Sequence, residues 1–398
     1  MKLTLPLALL LTSFVTARAA EPAADGFVPL FNGRDLTGWV NANCAPETWS
    51  VKDGKIVCTG RPIGTLRTDR QYENFVLEFE WRHLQSGGNS GMFVWASPIS
   101  APGVPFLRGI EIQALDHGYA VEFERKNGKK ADWFTVHGDV FPIHGATMTP
   151  FGKTNGKRSF PSEDRSKPSP EWNHYRLVAN NGSLRLHVNG KEVSGGDGCN
   201  YRKGYLGLES EGAPVEFRNL RIKELPSTGA GPDVSAPLDP GWRPLFTGLD
   251  LRGWRTTDAT AARWSATGER LTLKPTPAAA TPADAKAATL WTSTEFGAAE
   301  FVIDYQPSKT ARNEAAAPAT LFVRGRNGEG VPVTLAASEG GKFSRFVVTV
   351  QGASIRVQRG SEPAQEIPLP AGTPARGALG FAAGAGGGLF MNLHARDL

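Results

Sequence analysis

Several features that would place this 398-residue chain in a familiar class are scarce or absent. Three cysteines are too few for a disulfide-stapled scaffold, and no Cys/His cluster has the spacing of a zinc site. No basic run is interleaved with aromatic residues, which argues against nucleic-acid binding despite a formal net charge of +5. Beyond the first twenty residues no apolar run approaches a membrane span in length. We therefore expect a globular protein with no nucleic-acid partner and no membrane span.

The N-terminal segment has the three-part form of a secretory signal peptide. Met1-Lys2 precedes the apolar run Leu3–Val15, and the small-residue stretch Ala17–Ala20 follows it. We expect residues 1–20 to be a signal peptide and the mature protein to be secreted or periplasmic.

The cysteines suit an oxidising compartment without defining a disulfide pattern. Cys58 is placed to pair with either Cys44 or Cys199, and one thiol remains in both cases. Connectivity does not follow from sequence, so both pairings stay open.

A motif near the start of the chain recurs in its second half. Phe27–Trp39 reads FVPLFNGRDLTGW, and Trp242–Trp254, 215 residues later, reads WRPLFTGLDLRGW. The ends of the halves also correspond, because Gly204–Leu225 matches Gly377–Leu398 at a shift of 173 residues. A self-similarity this long indicates duplicated domains, since the repeat of a solenoid is roughly 20–50 residues.

The two predicted units are separated by a segment rich in Pro and Gly. We place the first unit at residues 26–225, the linker at 226–240 and the second unit at 241–398. Stretches such as Phe75–Trp81 alternate apolar and polar residues, and no stretch has a 3.6-residue period over helical length. We interpret residues 116–170 as long loops over one sheet. The pattern predicts an all-β protein of antiparallel sandwiches or jelly rolls.

The first unit also carries a series of motifs. In chain order they are FNGRDLTGW, WSVKDGKIV, YENFVLEFEWR, GGNSGMFV, GIEIQALD, EWNHYRL, VNG and VEFRNLRIKEL. In this order, and through essentially all of residues 27–225, they resemble the 3-keto-disaccharide hydrolase domain family. The resemblance implies tandem concanavalin A-like, glucanase-like jelly rolls with sugar on a concave face, and cleavage of the glycosidic bond of sugars oxidised at C3.

The second unit keeps only the entry and exit motifs of this resemblance. At the 173-residue shift the counterpart of Glu209 is Ala382, within an Ala/Gly run. We predict a degenerate copy without catalysis of its own.

Charged and amide residues alternate with apolar ones on three predicted strands. Glu80 and Arg82 lie on the first, Glu111 and Gln113 on the second, and Glu209 on the third. Their apolar neighbours take the core face, so this polar set points the other way. If the three strands share the concave sheet, these groups converge on one groove that binds a carbohydrate substrate.

Other residues complete the predicted groove. Asn89 lies in a GNSG motif, Asp116 follows the GIEIQ motif, and Trp95 or Trp133 supplies an aromatic platform for a sugar ring. His144 lies in a predicted loop, and three roles stay open for it: a catalytic base, a metal ligand, or no role in the site. Glu211 is a weaker candidate than Glu209, because we place it in a turn.

The resemblance implies a mechanism based on the 3-keto group. The carbonyl acidifies the C2 proton, a base removes it, and the enolate expels the C1 substituent. We take Glu111 or His144 as the base, with Glu209 as a crowded carboxylate that raises its neighbour's pKa. Arg82 or a divalent cation stabilises the oxyanion.

Three further possibilities follow from the same residues. Glu111, Asp116 and Glu209 form an oxygen-rich set suited to a hard divalent cation. Two carboxylates also suit a direct glycosidase. Because fold does not define function, a non-catalytic, lectin-like carbohydrate-binding protein is the main alternative.

Overall fold

A computed structural model describes residues 25–275, 281–308, 317–336, 341–382 and 387–398. The predicted signal peptide, residues 1–20, lies outside the described residues. Within the described ranges, no helix has the length and apolar character needed to cross a membrane. Cys44, Cys58 and Cys199 are all buried, unpaired thiols, so neither of the disulfides left open by the sequence is present.

Short β-strands dominate the first unit, as the period-two pattern predicts. The strands are β1 (Val28–Pro29), β2 (Trp39–Asn41), β3 (Trp49–Lys52), β4 (Lys55–Cys58), β5 (Gly64–Thr68), β6 (Phe75–His83), β7 (Gly91–Ala96), β8 (Gly109–Gln113), β9 (Val140–Ile143), β10 (Thr147–Pro150), β11 (Lys153–Asn155), β12 (Arg158–Phe160), β13 (Asn173–Asn180), β14 (Ser183–Val188), β15 (Lys191–Asn200), β16 (Tyr205–Ser210) and β17 (Val215–Glu224). A helix, α1 (Gly118–Asn127), lies between β8 and β9.

The second unit is built in the same way. Its strands are β18 (Arg243–Pro244), β19 (Trp254–Arg255), β20 (Trp264–Thr267), β21 (Arg270–Leu273), β22 (Leu290–Phe296), β23 (Ala299–Pro307), β24 (Ala319–Arg326), β25 (Glu329–Leu335), β26 (Ser344–Gln351), β27 (Ser354–Arg359), β28 (Gln365–Pro368), β29 (Gly377–Phe381) and β30 (Gly388–Asp397). It also contains the short helices α2 (Asp258–Arg263) and α3 (Pro282–Ala287).

Two antiparallel sheets pack against each other in the first unit. Sheet A has the order β10-β15-β14-β13-β6-β17-β4-β3, with β1 beside β17, and sheet B has the order β11-β12-β9-β8-β7-β16-β5-β2. Buried side chains such as Trp81, Ile112 and Leu208 form one apolar core between the sheets. The inward-facing residues alternate with outward-facing ones along each strand, which is the arrangement expected of a β-sandwich.

The sheets of the second unit repeat this topology. One has the order β20-β21-β30-β23-β26-β27-β28, with β18 beside β30, and the other has the order β19-β22-β29-β24-β25. Counted from the opposite edge, the sheets of the first unit contain the orders β3-β4-β17-β6-β13-β14-β15 and β2-β5-β16-β7-β8. The strands of the two units therefore correspond one to one over these stretches. A separate apolar core fills the second unit. The predicted fold class, tandem antiparallel jelly-roll sandwiches, is confirmed.

Residues 116–170 are more ordered than the sequence suggested. They contain α1 and the strands β9 to β12, of which β9, β11 and β12 widen sheet B. Helix α1 has no fully buried residue. Its apolar face consists only of Tyr119, Ala120 and Phe123, which are partly buried against Phe134 and Val136, and so short a face gives little helical period in the sequence. Gly128, with φ of 62°, ends the helix in the left-handed conformation that glycine favours.

The segment predicted as a linker, residues 226–240, lies against the first unit. Gln71 donates a hydrogen bond of 2.7 Å to the carbonyl of Ala236, and the buried guanidinium of Arg67 pairs with Asp239. Further hydrogen bonds join the second unit to the first. Glu269, in the turn between β20 and β21, accepts one of 3.0 Å from the backbone N–H of Ile63.

Candidate functional site

A cavity of about 230 Å³ opens on the face of sheet B that points away from the core. Its polar lining includes Asn89, Glu111, Gln113, Arg158, Glu209 and Glu211. Three carboxylates, two amides and a guanidinium therefore meet in one small space.

Strand alternation places the two central carboxylates on this face. Glu111 on β8 lies between Ile110 and Ile112, which enter the core, and Glu209 on β16 follows the core residue Leu208. Strands β8 and β16 lie on either side of β7, so the two side chains project from the same sheet with one strand between them.

A glycine on β7 makes room for both carboxylates. A Cβ atom built on Gly91 would lie 3.1 Å from Glu209 Oε2 and 3.3 Å from Glu111 Oε1. Both oxygens are therefore close to one point above the central strand. Any larger residue at this position would enter the space that the carboxyl groups occupy.

Burial raises the pKa values of all three carboxyl groups, and neighbouring negative charges add to the shift. Burial and then the charge of Glu211 raise the pKa of Glu111 to about 8, with Arg158 opposing the shift. Burial and then the charges of Glu111 and Glu211 raise the pKa of Glu209 well above its usual range. Burial, together with the charge of Glu269, raises the pKa of Glu211 to about 7, although a hydrogen bond with Glu209 lowers it. The cluster therefore holds protons near neutral pH.

One oxygen of the cluster has no protein partner. Glu209 is 1 % exposed, and its Oε2 accepts no hydrogen bond from any residue in the described ranges. A buried carboxylate oxygen without a donor is costly when ionised. The group is thus prepared to hold a proton or to accept a hydrogen bond from a ligand hydroxyl.

The amides and the guanidinium are held in a fixed network. Gln113 Nε2 donates to Asn89 Oδ1 at 2.9 Å. Arg158 Nη1 donates to Asp139 Oδ2 at 3.1 Å and to Gln113 Oε1 at 3.4 Å, and its guanidinium lies 3.4 Å from the centre of the Phe141 ring. Arg158 is therefore a positioned cation at the edge of the carboxylate cluster.

Aromatic side chains form the walls of the cavity. Tyr119 comes from α1, and Trp133 and Phe134 follow it in the connection to β9. The Trp133 side chain is 51 % exposed. His144 stacks on Phe106, with ring centres 5.7 Å apart and planes at 4°, and its partial burial lowers its pKa. Such faces suit the apolar side of a sugar ring.

The structure brings together six of the residues that the sequence selected. These are Asn89, Glu111, Gln113, Trp133, His144 and Glu209, all of which line the cavity. Their roles remain predictions, but their convergence is a property of the fold.

Glu80 and Arg82 were wrongly placed in the same groove. They lie on β6, which belongs to sheet A, and face away from the core on the opposite side of the sandwich. Glu80 Oε2 accepts a hydrogen bond of 2.6 Å from Arg218, and Arg82 Nε donates one of 2.9 Å to Glu216. Alternation along a strand separates inward from outward residues, but it does not tell which of two sheets the strand joins.

Trp95 is also absent from the cavity, because a β-bulge turns it inward. Pairing between β7 and β16 shifts from Tyr205 opposite Ala96 to Gly207 opposite Phe93, and Trp95 has φ of 52°. Its indole is fully buried in the core, where Nε1 donates to the carbonyl of Glu73 at 2.8 Å.

Asp116 accepts hydrogen bonds from backbone N–H groups and does not line the groove. Its oxygens accept hydrogen bonds from the N–H groups of Gly87 at 2.7 Å, Gly118 at 2.8 Å and Ser169 at 2.6 Å. Burial alone would raise the pKa of Asp116, but these donors outweigh it and lower the pKa. The predicted cation set of Glu111, Asp116 and Glu209 is therefore not assembled.

Sequence reasoning missed three cavity residues or gave them too little weight. Glu211 lies two positions after Glu209, so period-two alternation was a usable signal for it. Arg158 and Tyr119 come from the region interpreted as loops, where no motif or periodicity marked them.

The raised carboxyl pKa values predict how stability depends on pH. A pKa of about 8 for Glu111, against an ordinary 4.5, means that the folded state favours the protonated form. This contribution to stability is fully present below pH 4.5 and is lost as the pH rises through about 8. Glu111→Gln, which cannot ionise, is expected to lose less stability than the parent between pH 5 and pH 9, as measured by urea denaturation midpoints.

The control for this measurement is Glu80→Gln, which removes a partly exposed, ion-paired carboxylate on the opposite sheet. Its stability should fall with pH as steeply as that of the parent. Equal losses in Glu111→Gln and the parent would contradict the raised pKa of Glu111.

Fold and site together define the first unit as a β-sandwich with a carboxylate-rich, aromatic-walled groove, a type of site that suits carbohydrates. Residues 26–223 match the family model described as the 3-keto-alpha-glucoside-1,2-lyase-like domain, and the first unit belongs to this family.

Individual relatives are more distant. A 3-keto-disaccharide hydrolase of Bacteroides thetaiotaomicron is 23 % identical over 252 residues, which cover 51 % of this chain and 79 % of the relative. A protein of Parabacteroides distasonis described as a candidate glycosyl hydrolase is 25 % identical, with a TM-score of 0.38 over 51 % of this chain and 95 % of its own. A carbohydrate-binding module of Bacillus subtilis is 12 % identical, with a TM-score of 0.34 over 47 % of this chain and 96 % of the module. Because both TM-scores are below 0.5, the fold assignment rests on the sheets themselves.

Proposed function

We propose that the first unit is an exported carbohydrate-active enzyme that cleaves the glycosidic bond of 3-keto-glycosides by elimination followed by hydration. The observation that carries the proposal is the cluster of Glu111, Glu209 and Glu211, whose pKa values are raised toward or above neutrality. Proton removal next to a carbonyl requires a base whose pKa is near the working pH. Family membership and the name of the Bacteroides relative support the substrate class.

The chemistry proceeds in two balanced stages. A base removes the C2 proton, and the C–H electron pair forms an enolate with the C3 oxygen. The enolate then forms the C1–C2 double bond and breaks the bond from C1 to the glycosidic oxygen, which takes up a proton and leaves as an alcohol. Water next adds its hydroxyl to C1 and a proton to C2, which restores a 3-keto-sugar.

The cavity offers a group for each task. Glu111 is the base, because ionisation of this carboxyl group occurs near the working pH. Protonated Glu209, whose Oε2 has no partner in the described protein, is a donor to the leaving oxygen. Arg158, a fixed cation in the same cavity, stabilises the negative oxygen of the enolate in place of the misplaced Arg82.

The test compares oxidised and ordinary substrates. The protein is incubated with 4-nitrophenyl 3-keto-glucosides of both anomers and with the unoxidised glucosides, with and without chelator. Release of nitrophenol only from a keto-glucoside is the expected result. Measurable saturation binding of a keto-glucoside without turnover would instead establish the lectin-like alternative.

Deuterium incorporation separates elimination from direct hydrolysis. In D2O, elimination and hydration place deuterium at C2 of the released sugar at the rate of turnover. A direct two-carboxylate glycosidase leaves hydrogen at C2. The released sugar incubated alone in D2O is the control, because a 3-keto-sugar also exchanges slowly without an enzyme.

A further inference from the structure

Two histidines and an aspartate converge outside the proposed catalytic cavity, on segments adjoining those that supply its aromatic wall. His117 precedes α1, His137 lies between Phe134 and β9, and Asp164 lies in the connection after β12. One ligand atom from each lies within 4.8 Å of the others. We propose that this triad binds a divalent transition-metal ion of the zinc class.

A single point lies close to all three groups. Ser166 Oγ is 2.8 Å from His117 Nε2, 3.2 Å from His137 Nδ1 and 3.2 Å from Asp164 Oδ1. In addition, His137 Nδ1 and Asp164 Oδ1 are 2.8 Å apart. Zinc bonds to histidine nitrogen and carboxylate oxygen are about 2.0–2.2 Å long, so the ligands need to close in by about 1 Å.

Without an ion, hydrogen bonds centred on the Ser166 hydroxyl hold the three groups together. The hydroxyl donates its one proton to Asp164 Oδ1 or to the carbonyl of Val136 at 3.3 Å, and its oxygen accepts from imidazole N–H groups. An ion bound between the three ligand atoms replaces this network and displaces the hydroxyl from its present position. It is coordinated by both imidazoles and the carboxylate together, with water or the displaced Ser166 hydroxyl in the fourth position.

The donor set and its exposure select the class of ion. Two imidazole nitrogens and one carboxylate oxygen suit zinc and similar transition ions, whereas calcium and magnesium prefer all-oxygen sites. Both histidines are half-buried and Asp164 is exposed, so the site is open to ions from solvent. His137 lies 20 residues after His117 and 27 residues before Asp164, so the sequence contains no compact zinc-binding motif at these positions.

The position of the triad suggests what the ion does. His117 adjoins the helix that supplies Tyr119, and His137 follows Trp133 and Phe134 and precedes Asp139, the partner of Arg158. An ion shared by these segments ties together the aromatic wall of the groove. It acts as a clamp on the fold, and its binding does not depend on the reaction proposed above.

The test begins with full-length protein freed of metal by chelation and dialysis. Zinc titrated by calorimetry is expected to bind with one-to-one stoichiometry and to raise the melting temperature. Cobalt(II) substituted for zinc should give visible absorption bands typical of a four-coordinate site. Absence of stoichiometric binding by both ions would overturn the proposal.

Variants identify the ligands. His137→Asn and Asp164→Asn are each expected to weaken zinc binding by at least about 10-fold and to abolish the cobalt bands, with the fold checked by circular dichroism. His174→Ala, a partly exposed histidine on sheet A, is the control and should bind as the parent does. Unchanged binding in folded His137→Asn would refute the site.

Ser166→Ala separates the metal site from a hydrogen-bonded cluster. If the triad binds an ion, this variant keeps zinc binding within about 10-fold, because water replaces the hydroxyl as fourth ligand. If the cluster is held by the hydroxyl alone, the variant loses stability and neither it nor the parent responds to zinc, and the proposal fails.

Discussion

Glu111→Gln is expected to lower kcat on a 3-keto-glucoside by about 10²- to 10⁴-fold, the usual contribution of a positioned general base. The amide has nearly the shape of the carboxyl group but cannot accept the C2 proton. Glu111 is buried in the cavity beside Glu209 and Arg158, so no solvent-exposed group can readily take its place. Steady-state release of nitrophenol measures the loss.

Glu80→Gln is the matched control for this loss. It makes the same chemical change on the outer face of sheet A, where Glu80 pairs with Arg218. Its kcat should stay within about twofold of the parent, since Glu80 lies on the other sheet, outside the cavity. If Glu111→Gln retains parental kcat while folded, Glu111 is not the base. If both variants lose activity equally, the role of the cavity itself is contradicted.

Trp95→Ala is expected to reduce the free energy of unfolding by about 3–5 kcal/mol, the range for truncating a buried tryptophan. The change empties a fully buried site in the core and removes the hydrogen bond to Glu73. Urea denaturation measures the loss. A loss below about 1 kcal/mol would show that Trp95 is not packed as described.

Trp133→Ala makes the informative comparison, because the two tryptophans were equal candidates for a sugar platform. Half of the Trp133 side chain is exposed, at the wall of the cavity. Its loss should cost about 1 kcal/mol of stability or less and should raise KM for the keto-glucoside several-fold. A large loss of stability with unchanged KM would reverse the two assignments.

Local sequence patterns identified much of the fold. Alternation on β6, β8 and β16 indicated strands, and it separated Ile110 and Ile112 from Glu111 correctly. The duplicated motifs at Phe27–Trp39 and Trp242–Trp254 predicted two similar units, and both show the same strand order. The period of alternation depends on backbone geometry alone, so it can be read without knowledge of the rest of the chain.

Local sequence patterns predicted neither helix α1 nor the sheet to which each strand belongs. Helix α1 packs only Tyr119, Ala120 and Phe123, all partly buried, against the rest of the unit, so its apolar period is too short to be recognised. Glu80 and Glu111 have the same alternation, yet their strands lie in different sheets. Sheet membership depends on pairing between distant segments, such as β6 with β13 and β17, and a local pattern carries no information about that pairing.

By itself, the sequence determined that this is a duplicated all-β protein and, except where a bulge buries Trp95, which residues of the site strands avoid the core. The tertiary structure alone decided which polar residues meet. It gathered Glu111, Glu209, Glu211 and Arg158 in one cavity, used a bulge to bury Trp95, and brought His137 to Asp164 from 27 residues away. The physical reason is that alternation is a property of one strand, whereas a site is formed by contacts between segments that only the folded chain brings together.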